Sequence, residues 1–256
     1  MKLARVKESN LLAVVNPDGT FAELNGHDLI AALENPSSLE PTGRTLPADT
    51  PLAAPLPRPN RILAIGRNYA EHAAELGNAV PDEPVVFLKA SSCVIGPGEP
   101  ITYPAWIGRV DYEGELLAIL GTGGQVVGYT CFNDVTAREK SKALQSKGHP
   151  WFLAKSRDTF GPMGPWVVSA EAFGDPADAQ VTLSVNGETK QDGSARQMIN
   201  DIPALLEFLS QWVTLESGDV VATGTPPGVG PLQNGDVVRV EIPGIGALEN
   251  AVITLD

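Results

Sequence analysis

The chain has 256 residues, 43% of them hydrophobic and 19% charged, which excludes intrinsic disorder. A domain of this size buries roughly 70–75% of its unfolded surface, so no disulfide or metal staple is needed merely to fold. Against 18 Lys+Arg stand 31 Asp+Glu, and the resulting charge of −13 opposes nucleic acid and anionic membranes as partners. Cys93 and Cys131 make no disulfide framework. No apolar run reaches the ~20 residues of a membrane span. Arg5, Lys7 and Glu8 interrupt any signal-peptide core, so a soluble, cytoplasmic protein is expected.

From the N-terminus, Met1–Val6 and Leu11–Val15 read as strands beside turn chemistry at Asn16-Pro-Asp-Gly19, and Leu29–Leu33 as one or two helical turns. The proline-rich stretch Ala48–Asn60 is a stiff connector, which divides the chain into a small β-rich segment, 1–55, and a main domain, 56–256. Next come a strand at Arg61–Ile65, a short helix from about Tyr69 to Leu76 and a strand at Val85–Lys89. Asp111–Leu120 and Val126–Phe132 read as two more strands, and Thr136–Gln145 as helix. Val181–Val185 runs into Asn186-Gly187, a strong hairpin signal. Pro203–Trp212 has helical spacing, and Asp219–Ala222, Asp236–Ile242 and Leu248–Thr254 are strands. The pattern is mainly β (α+β), without regular βαβ alternation.

Four stretches carry possible chemistry. On one strand Glu113 and Glu115 point to the same face and lead into an apolar run, and Asp134 follows the next strand. Buried carboxylates demand a cationic partner, and hard divalent ions take such oxygen ligands. The same spacing also fits an ordinary solvated strand face. His72 and Glu75 are three apart and share a helix face, the arrangement of a proton-transfer dyad or of a casual surface pair. Lys155 follows the apolar run Trp151-Phe-Leu-Ala154 and would either hold an anion or snorkel to the surface. Thr223-Gly-Thr-Pro-Pro-Gly-Val-Gly230 offers backbone N–H groups but lacks the ending of a P-loop; a simple turn is the alternative.

In chain order these segments resemble the fumarylacetoacetate hydrolase family over roughly residues 60–254. The resemblance is carried by Gly66-Arg-Asn-Tyr69 with His72 and Glu75, Val86-Phe-Leu-Lys89, Asp111-Tyr-Glu-Gly-Glu115 and Gly128 through Arg138. It continues through Ala154–Pro165, Gln191-Asp-Gly193 and Thr223–Gly230. It implies a mixed β-sandwich roll with short helices, commonly a homodimer. Glu113, Glu115 and Asp134 match the family's metal carboxylates, usually with Mg²⁺, Mn²⁺ being the other candidate. His72 and Glu75 match the water-activating dyad, Lys155 a substrate-contacting lysine, and Thr225 lies in the loop that holds a substrate carboxylate. Arg138 falls in the substrate pocket, and Lys89 would help to offset the substrate's charge.

Ile65 stands where larger members have a fourth carboxylate, so the chain is similar to the smaller three-carboxylate branch, which includes acylpyruvases and 2-hydroxyhepta-2,4-diene-1,7-dioate isomerases. Ser141 replaces a glutamine often found there. The implied substrate is a small anionic 2-oxo acid that reacts through its enolate. C–C bond hydrolysis of an acylpyruvate is the first expectation. The alternative is isomerisation or decarboxylation of a 2-hydroxy-diene-dioate in homoprotocatechuate breakdown. A reading of another class is a metal-binding scaffold without catalysis.

Overall fold

The computed structural model describes residues 1–75 and 79–256, apart from the side chains of residues 72–74. The described residues form three sheets and a few short helices, the mixed α+β roll expected from the sequence. The largest sheet runs in the order Pro41–Leu46, Phe21–Leu24, Leu12–Val15, Lys2–Val6, Gly161–Ser169, Val126–Asn133, Gly114–Leu120, Val220–Ala222, Ile62–Gly66 and Val85–Lys89. A second sheet orders Glu188–Ser194, Gln180–Val185, Val237–Ile242, Gly246–Leu255 and Ile101–Pro104. Thr136–Ala137, Val110–Tyr112 and Gly230–Pro231 form the smallest.

Leu116, Cys131, Leu183, Val240 and Leu248 belong to one apolar core spanning the two large sheets. Every residue of Gly114–Leu120 is buried, which explains its continuous apolar run in place of an alternating one. The hairpin at Asn186-Gly187 forms as its sequence requires. Both residues adopt positive φ, 52° and 80°, the condition for a type I′ turn. Asp201 caps the helix Ile202–Ser210 by accepting from the Ala204 N–H at 2.9 Å.

The strand Gly161–Ser169 was not expected, because Gly-Pro-Met-Gly-Pro reads as turn chemistry. Its ladder with Val126–Asn133 shifts register between Tyr129 and Cys131, and such an irregularity admits proline within a sheet. That strand also receives the N-terminal segment: Lys2 pairs with Val168 and Leu3 with Val167. Leu3, Leu12 and Leu33 enter the main core, while Ala4, Val6, Phe21 and Leu52 form a small cluster beside it. Among the described residues no helix is long and apolar enough to cross a membrane.

Removing residues 1–55 would expose both that apolar surface and the open edge of Gly161–Ser169. A chain starting at residue 56 should therefore aggregate or bind a hydrophobic dye on size-exclusion chromatography. A well-behaved truncated protein would show that the first segment is dispensable for the fold.

Candidate metal and substrate site

Glu113, Glu115 and Asp134 are buried, and one oxygen of each lies within 4.8 Å of the others. Their convergence is a property of the backbone. The expected strand Asp111–Leu120 is in fact two, Val110–Tyr112 in the small sheet and Gly114–Leu120 in the large one, with Glu113 at the crossing. Glu113 donates its N–H to Asn133 Oδ1 (2.9 Å) and accepts the Asp134 N–H on its carbonyl (2.8 Å), so both flanks of the break are satisfied. Gly114 pairs with Asn133 in register, which brings Asp134 beside the two glutamates.

Among the described residues three cations meet these carboxylates. Lys155 Nζ lies 2.7 Å from Glu113 Oε2 and also bonds Asp134 Oδ2; Lys89 Nζ lies 2.7 Å from Asp134 Oδ1. Arg138 bridges Glu113 and Asp111, reaching Asp111 Oδ2 at 2.7 Å. Burial would lower the Lys155 pKa, but Asp134 and Glu113 override it and hold the ammonium above its ordinary value. For Arg138 burial likewise opposes the charge, and Glu113 and Asp111 raise its pKa. Glu115 is different. It accepts one hydrogen bond, from the Gly224 N–H at 2.9 Å, and has no ion pair among the described residues. Burial, then the charges of Asp134 and Glu113, push its carboxyl well above the usual range.

The donor set fits a divalent cation. It is all oxygen and anionic, Asp134 Oδ1 has no aligned hydrogen bond, and Lys155 already places positive charge between Glu113 and Asp134.

A cavity of about 40 Å³ opens on the cluster, lined also by Arg67, Ser141, Gln145 and Thr225. At that size it admits water or an ion, and a substrate requires its rim to open. The rim is Trp151, whose ring stands 5.3 Å from that of Phe87, with the Arg67 guanidinium 5.8 Å above it. Arg67 also bonds Gln145 Oε1 at 3.3 Å and holds φ at +58°, a left-handed conformation uncommon outside glycine. A larger, mainly apolar groove of about 410 Å³ between Leu88 and Trp212 shares only Phe87 with this cavity and contains none of the three carboxylates.

Of the residues singled out from sequence, Glu113, Glu115, Asp134, Arg138, Lys155 and Thr225 share this cavity. Lys89 stands behind Asp134, off the cavity wall, with its ammonium also bonded to the Lys155 carbonyl. The Thr225 hydroxyl donates its one proton to Gly114 O (2.8 Å) and accepts from Gln191 Nε2 (2.8 Å), so that proton is committed to the fold. Glu75 accepts from the Gly228 N–H at 3.2 Å on each oxygen. The His72 imidazole and Leu76, the expected end of that helix, lie outside the described residues.

Sequence reasoning left Asp111, Asn133, Asn68 and Gln191 without roles. Asp111 is fully buried between Arg109 and Arg138, and an acid within an apolar strand was its signal. Asn68 ties the loop carrying Thr225 to the rest of the site, donating to Thr223 O (2.8 Å) and Asn200 O (3.0 Å).

Fold and site together define a β-rich protein with a buried three-carboxylate cluster, able to hold a cation, facing a small polar cavity. The model of the fumarylacetoacetate hydrolase C-terminal domain matches residues 61–253, and the chain belongs to that family. An oxaloacetate tautomerase of Bacillus subtilis is 40% identical over 226 residues, covering 80% of this chain and 74% of the relative. The solved structure of a 5-carboxymethyl-2-hydroxymuconate delta-isomerase from Mycobacterium smegmatis superposes with a TM-score of 0.83 at 35% identity, over 100% of both chains. A fumarylacetoacetate hydrolase from Exiguobacterium antarcticum gives 0.85 at 36% identity, again over 100% of both.

The raised Glu115 pKa has a consequence for stability. With the folded value above the unfolded one, its contribution is full below the unfolded pKa and is lost as pH rises through the folded value. Glu115→Gln should therefore raise the melting temperature of the metal-free protein at neutral pH, by about 2–4 °C for each ~1 kcal/mol relieved in a chain of this size. Mg²⁺ should raise the melting temperature of the wild type and leave that of the variant unchanged. Melting curves with and without Mg²⁺ measure both, and a destabilised metal-free variant would contradict the electrostatic reading.

Proposed function

We propose that this protein is a divalent-metal-dependent isomerase that moves a proton between the enol and keto forms of a small 2-oxo dicarboxylic acid, with oxaloacetate the first substrate to test. The observation that carries this reading is the charge balance of the buried cluster. With a divalent cation bound and Glu115 ionised by it, Glu113, Glu115 and Asp134 are matched among the described residues by Lys89, Lys155 and Arg138, while Asp111 is balanced by Arg109. The cation's own two positive charges are then left over, the complement of a dicarboxylate. The tautomerase and isomerase relatives support proton transfer, and C–C hydrolysis needs the same site with a water added.

Glu113, Glu115 and Asp134 would hold the metal, Mg²⁺ or Mn²⁺, which when bound supplies Lewis-acid polarisation of the 2-oxo group. Lys155 and Arg138 put positive charge on the cavity wall, where they bind substrate carboxylate and stabilise the negative charge that collects on the 2-oxo oxygen. Ser141, one turn after Arg138 on the same helix, also lines the cavity with a short polar side chain. Trp151 and Phe87 exclude water from the reacting carbon. The proton at C3 is assigned to His72, with Glu75, fixed by the Gly228 N–H, as its carboxylate partner.

The test follows ketonisation of enol oxaloacetate in the ultraviolet. Turnover should scale with protein, vanish on chelation and return with Mg²⁺ or Mn²⁺. Lys155→Met should lower kcat by ~10²–10³-fold, the usual loss on removing one charge-stabilising donor. Cleavage of an acylpyruvate without tautomerase activity would replace this reading with hydrolysis.

A further inference from the structure

The second-sheet hairpin Gln180–Val185 and Glu188–Ser194 sends one polar side chain inward. Glu188, Thr189 and Asp192 are exposed, whereas Gln191 is 1% exposed. Its amide is fully used. Gln191 Oε1 accepts the Gly114 N–H at 2.9 Å, and Nε2 donates to Thr225 Oγ1 at 2.8 Å and to Pro226 O at 2.7 Å. Thr225 Oγ1 in turn donates to Gly114 O at 2.8 Å. The bonds close a ring that begins and ends on Gly114.

Gly114 separates the two glutamates. Its N–H belongs to the peptide joining it to Glu113, and its carbonyl to the peptide joining it to Glu115. The ring therefore fixes the planes of both peptide groups from which the two carboxylates project. Close packing holds the partners in place. A Cβ on Gly193 would stand 2.3 Å from Pro226 Cβ, and one on Gly228, at φ +100°, would stand 2.0 Å from Lys190 O. The hairpin and the Thr225 loop can meet this closely only through glycine.

We propose that Gln191 is a positioning residue for the cation site: through the ring with Thr225 and Gly114 it sets the directions of Glu113 and Glu115, and with them the affinity for the metal. This rests on the reading of Glu113, Glu115 and Asp134 as a divalent-cation site. Gln191 touches neither carboxylate, so its effect passes through the backbone, as the partners of ligand side chains commonly act on metal affinity.

The experiment is calorimetric titration of metal-free wild type, Gln191→Leu, Thr225→Val and the double variant with Mn²⁺, at a temperature where each is folded by circular dichroism. Each single variant should weaken Mn²⁺ binding by ~10–100-fold. The double variant should bind no more weakly than the worse single one, because both open the same ring. Lower melting temperatures with wild-type Mn²⁺ affinity would make Gln191 a purely structural residue and overturn the proposal. Additive losses in the double variant would overturn the ring. If Gln191→Leu does not fold, Thr225→Val decides alone, and unchanged affinity in it refutes the proposal. Wild type that binds no Mn²⁺ removes the cation site itself, and the inference with it.

Discussion

Three carboxylates crowded within 4.8 Å and shielded from water would repel one another by about 3 kcal/mol or more per pair, taking an effective dielectric near 20. The chain folds around them because Lys155, Lys89 and Arg138 arrive from three other elements to compensate. Lys155 ends the helix Phe152–Lys155, Lys89 ends the strand Val85–Lys89, and Arg138 begins the helix Arg138–Gln145. All three are buried with their partners, so the charges are paired where their desolvation cost is greatest. Such a cluster is a poor source of stability and a good receptor, since its members can exchange partners when a cation and an anion enter.

The sheets serve this arrangement. Glu113 sits where the chain leaves one sheet for another, a place where regular pairing lapses and backbone groups need other partners. Asn133, Asp134, Gln191 and Thr225 supply them. The residues that satisfy the backbone at the crossing are thus the residues that aim the acids. Local satisfaction of hydrogen bonds and the geometry of the site are one problem here.

Much of this was legible in the sequence. Local signals found the Asn186-Gly187 hairpin, the strand Val85–Lys89 and the helix at 202–210, because turn chemistry and helical spacing act within a few residues. The acids and basic residues of the site were legible as motifs in order, and six of them line one cavity. The strand Gly161–Ser169 was hidden because its prolines argue against a sheet, and only the irregular ladder with Val126–Asn133 accommodates them. The break at Glu113 was hidden because Asp-Tyr-Glu-Gly-Glu alternates acceptably as one strand; the crossing is fixed by pairing with residues far along the chain. Gln191 gave no signal of its role, since its partners lie 34 and 77 residues away. Thr225 was singled out by the resemblance as part of a substrate-holding loop; that its hydroxyl proton goes to Gly114 O is visible only in the fold.

The central claim is that Glu113, Glu115 and Asp134 form one cation site that Lys155 occupies electrostatically when no metal is bound. A crystal structure grown with Mn²⁺, with the ion located by its anomalous scattering, tests it most directly. We expect a single strong peak among the three carboxylates, with Lys155 Nζ withdrawn from Glu113 and Asp134 toward the cavity. Manganese bound elsewhere, or a site that keeps the Lys155 pairs intact at saturating Mn²⁺, would contradict it.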